Sequence, residues 1–248
     1  MRKVLVITGA SRGIGAATAR LAAERGYAIC VNYRDNREAA ELVLNDIRRA
    51  GSDGIVVPGD VSVEEDVVRL FATVDRELGR VEALVNNAGI VQRQMRLDEM
   101  DGKRLRRVFE VNVVGSFLCA REAVRRMSTR HGGSGGAIVN VSSKASKLGS
   151  PGEYIDYAAT KGAIDTLTIG LARELATEAI RVNAVRPGII DTEIHASGGE
   201  PDRVNRVKGT IPMKRAGDPA EVATAILWLL SDEAAYTTGA FIDVAGGR

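Results

Sequence analysis

A chain of 248 residues, 45% hydrophobic and 27% charged, has the make-up of an ordinary soluble globule with one large core. Thirty-four basic against thirty-two acidic side chains leave a formal charge of +2, which gives no electrostatic case for a nucleic-acid partner. Cys30 and Cys119 lie in apolar runs that suit reduced core thiols, and no leader or long apolar span is read, so a cytoplasmic protein with no membrane partner is expected.

Val4 to Ile7 is a continuous apolar run, as expected of a strand buried on both faces. Thr8-Gly9-Ala10-Ser11-Arg12-Gly13-Ile14-Gly15 follows at once, and residues 16–26 then read as a helix stopped by glycine. Strand, glycine turn and helix in that order suit a phosphate site. Glycines let the backbone approach a pyrophosphate, and the free N–H groups of the helix start receive its charge. The Gly-x3-Gly-x-Gly spacing departs from Gly-x-Gly-x-x-Gly, and alone it also fits a tight strand–helix turn without ligand. Residues 28–32 form the second strand, whose end reads the adenosine ribose. An acid there would hold the 2′-hydroxyl of NAD and repel the 2′-phosphate of NADP. Here Tyr33 and Arg34 stand in that place, with Asp35 one step beyond. Arg34 with Arg12 suits a 2′-phosphate clamp, so NADP(H) is the expected cofactor; NAD(H) is the alternative if Arg34 only faces solvent.

A polar-faced helix over 36–50, a strand over 54–58, the turn Gly59-Asp60-Val61 and a helix over 63–78 come next. The buried strand 81–85 closes on Asn86-Asn87-Ala88-Gly89. Such alternation demands parallel pairing with right-handed crossovers. Helices are expected over 98–108 and 111–129, the second carrying Asn112 and Gly115, and residues 132–136 read as a flexible glycine loop. A strand over 137–141 delivers Ser142 and Ser143 at its carboxyl end, where open α/β sheets place their ligands. A helix over 155–178 sets Tyr157 and Lys161 on one face, one turn or about 5.4 Å apart. A tyrosine titrates near ~10, so working at neutral pH requires a drop of about three units, which a fixed ammonium is suited to supply. Tyr154 has no such partner, since its fourth neighbour is Ala158. Strand 180–185 leads to Arg186-Pro187-Gly188, and residues 189–218 lose all periodicity, as a lid or binding loop does. Helix 219–230 and strand 241–244 complete one domain without internal repeats. His131 and His195 have no ligand spacing around them, so no metal site is expected.

In order along the chain, Thr8-Gly-x3-Gly-x-Gly15, Asp60, Asn86-Asn-Ala-Gly89, Asn112, Ser143, Tyr157-x3-Lys161 and Pro187-Gly188 resemble the short-chain dehydrogenases/reductases. The likeness spans essentially the whole chain and is nearest to the 3-oxoacyl-(acyl carrier protein) reductase and glucose-dehydrogenase-like branch. It implies a single-domain Rossmann fold, a doubly wound seven-stranded parallel sheet with helices on both faces. It also implies a homotetramer built through the two long central helices and the final helix and strand. Gly9, Ser11, Arg12, Gly13, Ile14 and Gly15 would line the pyrophosphate and ribose, and Asp60 and Val61 would edge the adenine. Asn86, Ala88 and Gly89 would support the cofactor ribose, and Pro187, Gly188, Ile190 and Thr192 the nicotinamide carboxamide. Tyr157 would be the acid or base, Ser143 the hydrogen-bond donor to the carbonyl oxygen, and Lys161 the ribose ligand that lowers the tyrosine pKa. Asn112, at a helix irregularity in the family, would hold a water linking Lys161 to solvent. Ser143 precedes Tyr157 by fourteen positions against a usual twelve or thirteen, which keeps Ser142 as a competitor. Alanine at 245 stands where an acid or Asn is common.

The expected activity is NADP(H)-dependent interconversion of a ketone and a secondary alcohol on a small-molecule substrate. A 3-oxoacyl thioester leads, with a sugar or another small alcohol as the alternative. Arg93 and Arg96 are candidates to meet an anionic group, and Met95, Met100 and Met213 flank the expected mouth. A non-catalytic NADP-binding sensor is the competing class, but such a protein ought to lose a member of the Asn112, Ser143, Tyr157 and Lys161 set.

Overall fold

Strands buried on both faces need helices on both faces, and the sequence supplies them by strict alternation. The computed structural model describes residues 2–248. Seven strands, β1 (Val4–Ile7), β2 (Ala28–Tyr33), β3 (Gly54–Pro58), β4 (Val81–Asn86), β5 (Gly136–Val141), β6 (Ile180–Pro187) and β7 (Phe241–Val244), form one sheet. Their order is β3-β2-β1-β4-β5-β6-β7 and every pairing is parallel. The connection reverses direction between β1 and β4, which opens a crevice at the carboxyl ends of the strands.

Alternate strand residues feed opposite layers, as a period of two dictates. Leu5, Ile7, Ile29, Val85 and Val139 pack against α1 (Gly13–Glu24), α2 (Arg37–Arg49) and, at the other end of that face, α10 (Pro219–Leu230). Val4, Val6, Cys30, Leu84 and Ile138 pack with Leu70 and Phe71 of α3 (Glu64–Glu77) and Cys119 and Met127 of α5 (Gly115–Met127). Ala16, Ala19, Ala22 and Ala23 give α1 a small-residue stripe, which lets α10 approach closely. Between α4 (Gly102–Phe109) and α5 the helix does not break. Five residues, Glu110–Val114, form a single π turn there, so the two expected helices are one bent rod.

Two expectations change. The glycine run 132–136 is more than a flexible loop: a Cβ on Gly133 would lie 2.2 Å from the Met127 carbonyl oxygen and one on Gly135 2.4 Å from that of Ala179. The run is a close crossing of backbones. Nor is 189–218 structureless: it carries α8 (Ile194–Ser197) and α9 (Arg203–Val207). A parallel bridge between Ile190 and Gly217 pins the segment at its base.

Candidate active site

The glycine turn leaves β1 with Gly9 at φ +59° and Gly13 at φ +54°, left-handed values that disfavour a side chain. Arg12 at the start of α1 makes no side-chain cap and no acid occupies the first turn, so the free N–H groups there remain open to an anion. A Cβ on Gly15 would sit 2.6 Å from Asn87 Nδ2 and 2.8 Å from the Gly9 oxygen, so this glycine is demanded by packing beneath the turn. Polar side chains hold the turn from two strands. Asn32 accepts from Gly9 N at 3.2 Å and donates to the Gly59 oxygen at 3.1 Å. Asn87 Nδ2 donates to the Thr8 and Gly9 oxygens at 2.8 and 3.0 Å, while Thr8 Oγ1 accepts from the N–H groups of Asn87 and Ala88.

One cleft of about 790 Å³ runs over the crevice. Of the expected residues, Gly9, Ser11, Arg12, Gly13, Ile14, Arg34, Asp60, Val61, Ala88, Gly89, Ser143, Tyr157, Lys161, Pro187, Gly188, Ile190 and Thr192 line it. Gly15, Asn86 and Asn112 do not. Asn86 is still within β4, where its side chain is buried and donates to Asn140 Oδ1 at 2.9 Å and to the Ser116 oxygen. It is therefore a core residue, and Asn87, the first residue off the strand, takes the cleft position. Asn87 and Asn32 line the cleft and brace the glycine turn, and the sequence reading assigned neither to the site. The available signal was a polar residue inside or just beyond an apolar strand.

At the adenosine end Arg34 and Asp35 both line the cleft, and Arg34 Nε donates to Asp35 at 2.6 Å. The guanidinium expected to meet a phosphate already carries a partner. Asp60 accepts from the Ser62 N–H and hydroxyl on Oδ1 and from Arg107 at 2.7 Å on Oδ2. Burial alone would raise its pKa, but these hydrogen bonds outweigh it and hold the carboxyl below its ordinary value.

The catalytic candidates converge from β5, the π turn and α7 (Ile155–Glu174). Tyr157 is half-buried, and its phenol and the Ser143 side chain face each other in the cleft. Ser142 also borders the cleft, but it is buried and its hydroxyl is spent on Asp165 at 2.6 Å, which leaves Ser143 as the serine facing Tyr157. The fourteen-residue spacing is absorbed between them. Residues 149–152 loop out through left-handed Gly149, Ser150 and Gly152 and leave Ser143 beside Tyr157.

Lys161 is buried, its Nζ 5.5 Å from the Tyr157 ring centre and donating to the Val141 oxygen at 2.7 Å. Gly89 lies alongside, where an added Cβ would be 3.6 Å from that Nζ, an ordinary contact. Burial lowers Lys161 to about 8, against a smaller upward pull from the Asp165 carboxylate. Burial also pushes Tyr157 up to about 12, with the Ser143 side chain opposing it. Desolvation sets the direction of this shift, and the Lys161 ammonium is aimed at a carbonyl. Asn112, on the π turn, accepts from Ile90 N at 2.8 Å and donates to the Ile90 oxygen and Thr160 Oγ1. It pins the backbone after Gly89 to the tyrosine helix.

Beyond these residues the segment 189–218 contributes to the cleft wall. Ile194, His195 and Arg203 line it together with Glu153 and Tyr154 from the start of the tyrosine helix. Arg96 is engaged by Asp98, and Arg104 forms a buried pair with Asp156, next to Tyr157. Among the described residues no group of three His, Cys, Asp or Glu is placed to hold a metal ion. No helix among them is long and apolar enough to cross a membrane.

Comparison with known proteins bears on this arrangement as a whole. A family model described as Enoyl-(Acyl carrier protein) reductase matches residues 9–248. The chain is similar to the uncharacterized oxidoreductase YgfF of Escherichia coli, 58% identical over 245 residues that cover 99% of each chain. It is 36% identical over 247 residues to the 3-oxoacyl-(acyl-carrier-protein) reductase FabG of Staphylococcus epidermidis, covering 100% of this chain and 99% of that one. Among solved structures it resembles a short-chain type dehydrogenase/reductase from Mycobacterium marinum, with a TM-score of 0.92 and 34% identity over 99% of this chain and 94% of the other.

Proposed function

Because the chain belongs to the short-chain dehydrogenase/reductase family of oxidoreductases, which use a nicotinamide cofactor, we propose that it interconverts a ketone and a secondary alcohol with NADP(H). The observation that carries this reading is one cleft holding both an anion-ready glycine turn and a phenol facing Ser143 beside a buried ammonium. Gly9, Ser11, Arg12, Gly13 and Ile14 would receive the pyrophosphate, on first-turn N–H groups with no competing acid. Thr192 lies against Gly13, so the segment after β6 would close over the same turn. The nicotinamide ring, when bound, supplies or takes the hydride. Ser143 and Tyr157 hold the substrate oxygen, and Tyr157 gives it a proton in reduction or removes one in oxidation. Lys161 would hold the ribose, and Asn112 keeps the Ile90 backbone in register with α7.

Arg12 and Arg34 favour a 2′-phosphate, although Asp35 competes for Arg34. A 3-oxoacyl thioester is the leading substrate, as the FabG relative's name suggests, with a sugar or small alcohol behind it. A homotetramer is favoured by the half-exposed Val114 and Phe117 on the helical rod, Ile169 on α7 and Trp228 on α10. The unpaired buried Cys30 and Cys119 suit a reducing, cytoplasmic setting.

The direct test is a spectrophotometric panel with NADPH and NADH against acetoacetyl thioester and simple ketones, and with NADP against glucose. NADPH oxidation with the thioester is expected. Strong glucose oxidation with no thioester reduction would reverse the substrate order, and no turnover with any carbonyl or alcohol would remove the enzyme reading.

A further inference from the structure

The substrate side of the cleft contains one buried cation contributed by the segment 189–218. Arg203 is 7% exposed and lines the cleft, with its guanidinium 4.8 Å above the Tyr154 ring. Tyr154 starts the helix that carries Tyr157 three residues later. Each terminal nitrogen of the Arg203 fork holds one carboxylate. Nη2 donates to Glu153 at 2.5 Å, and Nη1 to Glu200 at 3.4 Å. Neither carboxylate is free to swing away, because Arg206 donates at 3.1 Å to each of them and Gln94 donates to Glu200. Two cations and two anions therefore cancel within one cluster. Of the two carboxylates, Glu153 lines the cleft beside Arg203, and Glu200 stands behind it.

A carboxylate entering a water-poor lobe must exchange its hydration for a cation with open donors. Here the guanidinium is already paired with two carboxylates, so an entering anion meets no net positive charge. We propose that Arg203 is a specificity-determining residue: delivered to the cleft wall already neutralised by Glu153 and Glu200, it makes the substrate lobe accept uncharged carbonyl compounds and refuse those bearing a carboxylate. This builds on the carbonyl-reductase reading and adds the charge class of its substrate. Arg93 does not counter the wall; it stands outside the cleft lining, with its side chain against Gly199.

The test compares ethyl acetoacetate with acetoacetate, one skeleton as a neutral ester and as an anion, under saturating NADPH. Wild-type protein should favour the ester in kcat/KM by about tenfold or more. Glu153→Gln with Glu200→Gln keeps shape and acceptor oxygens but leaves the guanidinium uncancelled. The ester-to-acid ratio should then move about tenfold or more toward acetoacetate, through the KM of acetoacetate rather than its kcat. A ratio taken within each protein cancels any general loss of activity. Adding Arg203→Met to the pair should erase the gain. Glu200→Gln alone should shift the ratio in the same direction by less, and it stands in if the double variant fails to fold. A wild-type preference for acetoacetate, or an unmoved ratio in every variant, overturns the proposal. If wild-type protein reduces neither compound, the reductase reading fails separately. Calorimetric binding of acetoacetate then decides the charge claim, with binding expected in the Glu→Gln variants and not in the wild type; equal binding in both would overturn it.

Discussion

A phenol held near 12 by burial is protonated throughout the neutral range, and that fixes which direction Tyr157 serves without help. Reduction needs the protonated form, which is fully present below the raised pKa; oxidation needs the phenolate, whose fraction rises tenfold per pH unit below it. The reduction rate should therefore be flat between about pH 6 and 8 and decline above that as Lys161, held near 8, loses its charge. Oxidation should climb with a log–log slope of about +1 over the same range. Stopped assays in both directions across pH read this, and a flat oxidation profile would mean that the bound cofactor or Lys161 has already ionised the phenol. Gly15 permits a second prediction at this scale. Gly15→Ala drives a methyl into Asn87 and Gly9, at an overpacking cost of about 1–3 kcal/mol. A Tm lower by several degrees and weaker cofactor binding are expected, and an unchanged Tm would show that the Asn87 turn yields freely.

Elements set the angles at which these residues meet. Asn112 sits on the π turn 110–114, from which it bonds both main-chain groups of Ile90 and also Thr160. The start of α7 is fixed by a different device. Arg104 donates to both oxygens of Asp156 and also to the Arg93 carbonyl, tying the strand-end loop to the first turn of the tyrosine helix. The Asp156 side chain is 1% exposed and that of Arg104 10%, so this pair is not a surface bridge. Arg104→Met strands a buried carboxylate and should cost about 3–5 kcal/mol, whereas Arg104→Met with Asp156→Leu should recover much of that. Urea unfolding of the two variants measures the difference. Equal losses would mean that packing, not charge, holds the helix start.

Across the whole molecule, legibility followed range. Strands such as β1 and β4 run apolar because both faces are buried, and Tyr157 and Lys161 share a face through local helix geometry. Both were readable from neighbours in sequence. Which member of Asn86-Asn87 faces the cleft was not, since it depends on where β4 ends, and one residue reverses the side. The glycine run 132–136 looked mobile because its reason lies in distant backbone at Ala179 as well as Met127. Helices α8 and α9 were invisible because four or five residues carry no helical periodicity. The direction of the Tyr157 shift belongs with these, as desolvation is a property of the assembled cleft. Beyond one chain, the groove lined by Val114, Phe117, Leu118 and Leu171 should be covered in a homotetramer. Phe117→Glu should lower the mass seen by light scattering, and an unaltered mass would place the contact elsewhere.

The most direct measurement is single-turnover hydride transfer from NADPH in Tyr157→Phe, paired with cofactor affinity by fluorescence titration. Loss of the phenolic hydroxyl should slow transfer by about 10²–10⁴-fold while leaving NADPH binding within about twofold. Transfer at the wild-type rate, with the cofactor bound as before, would contradict a proton donated from Tyr157.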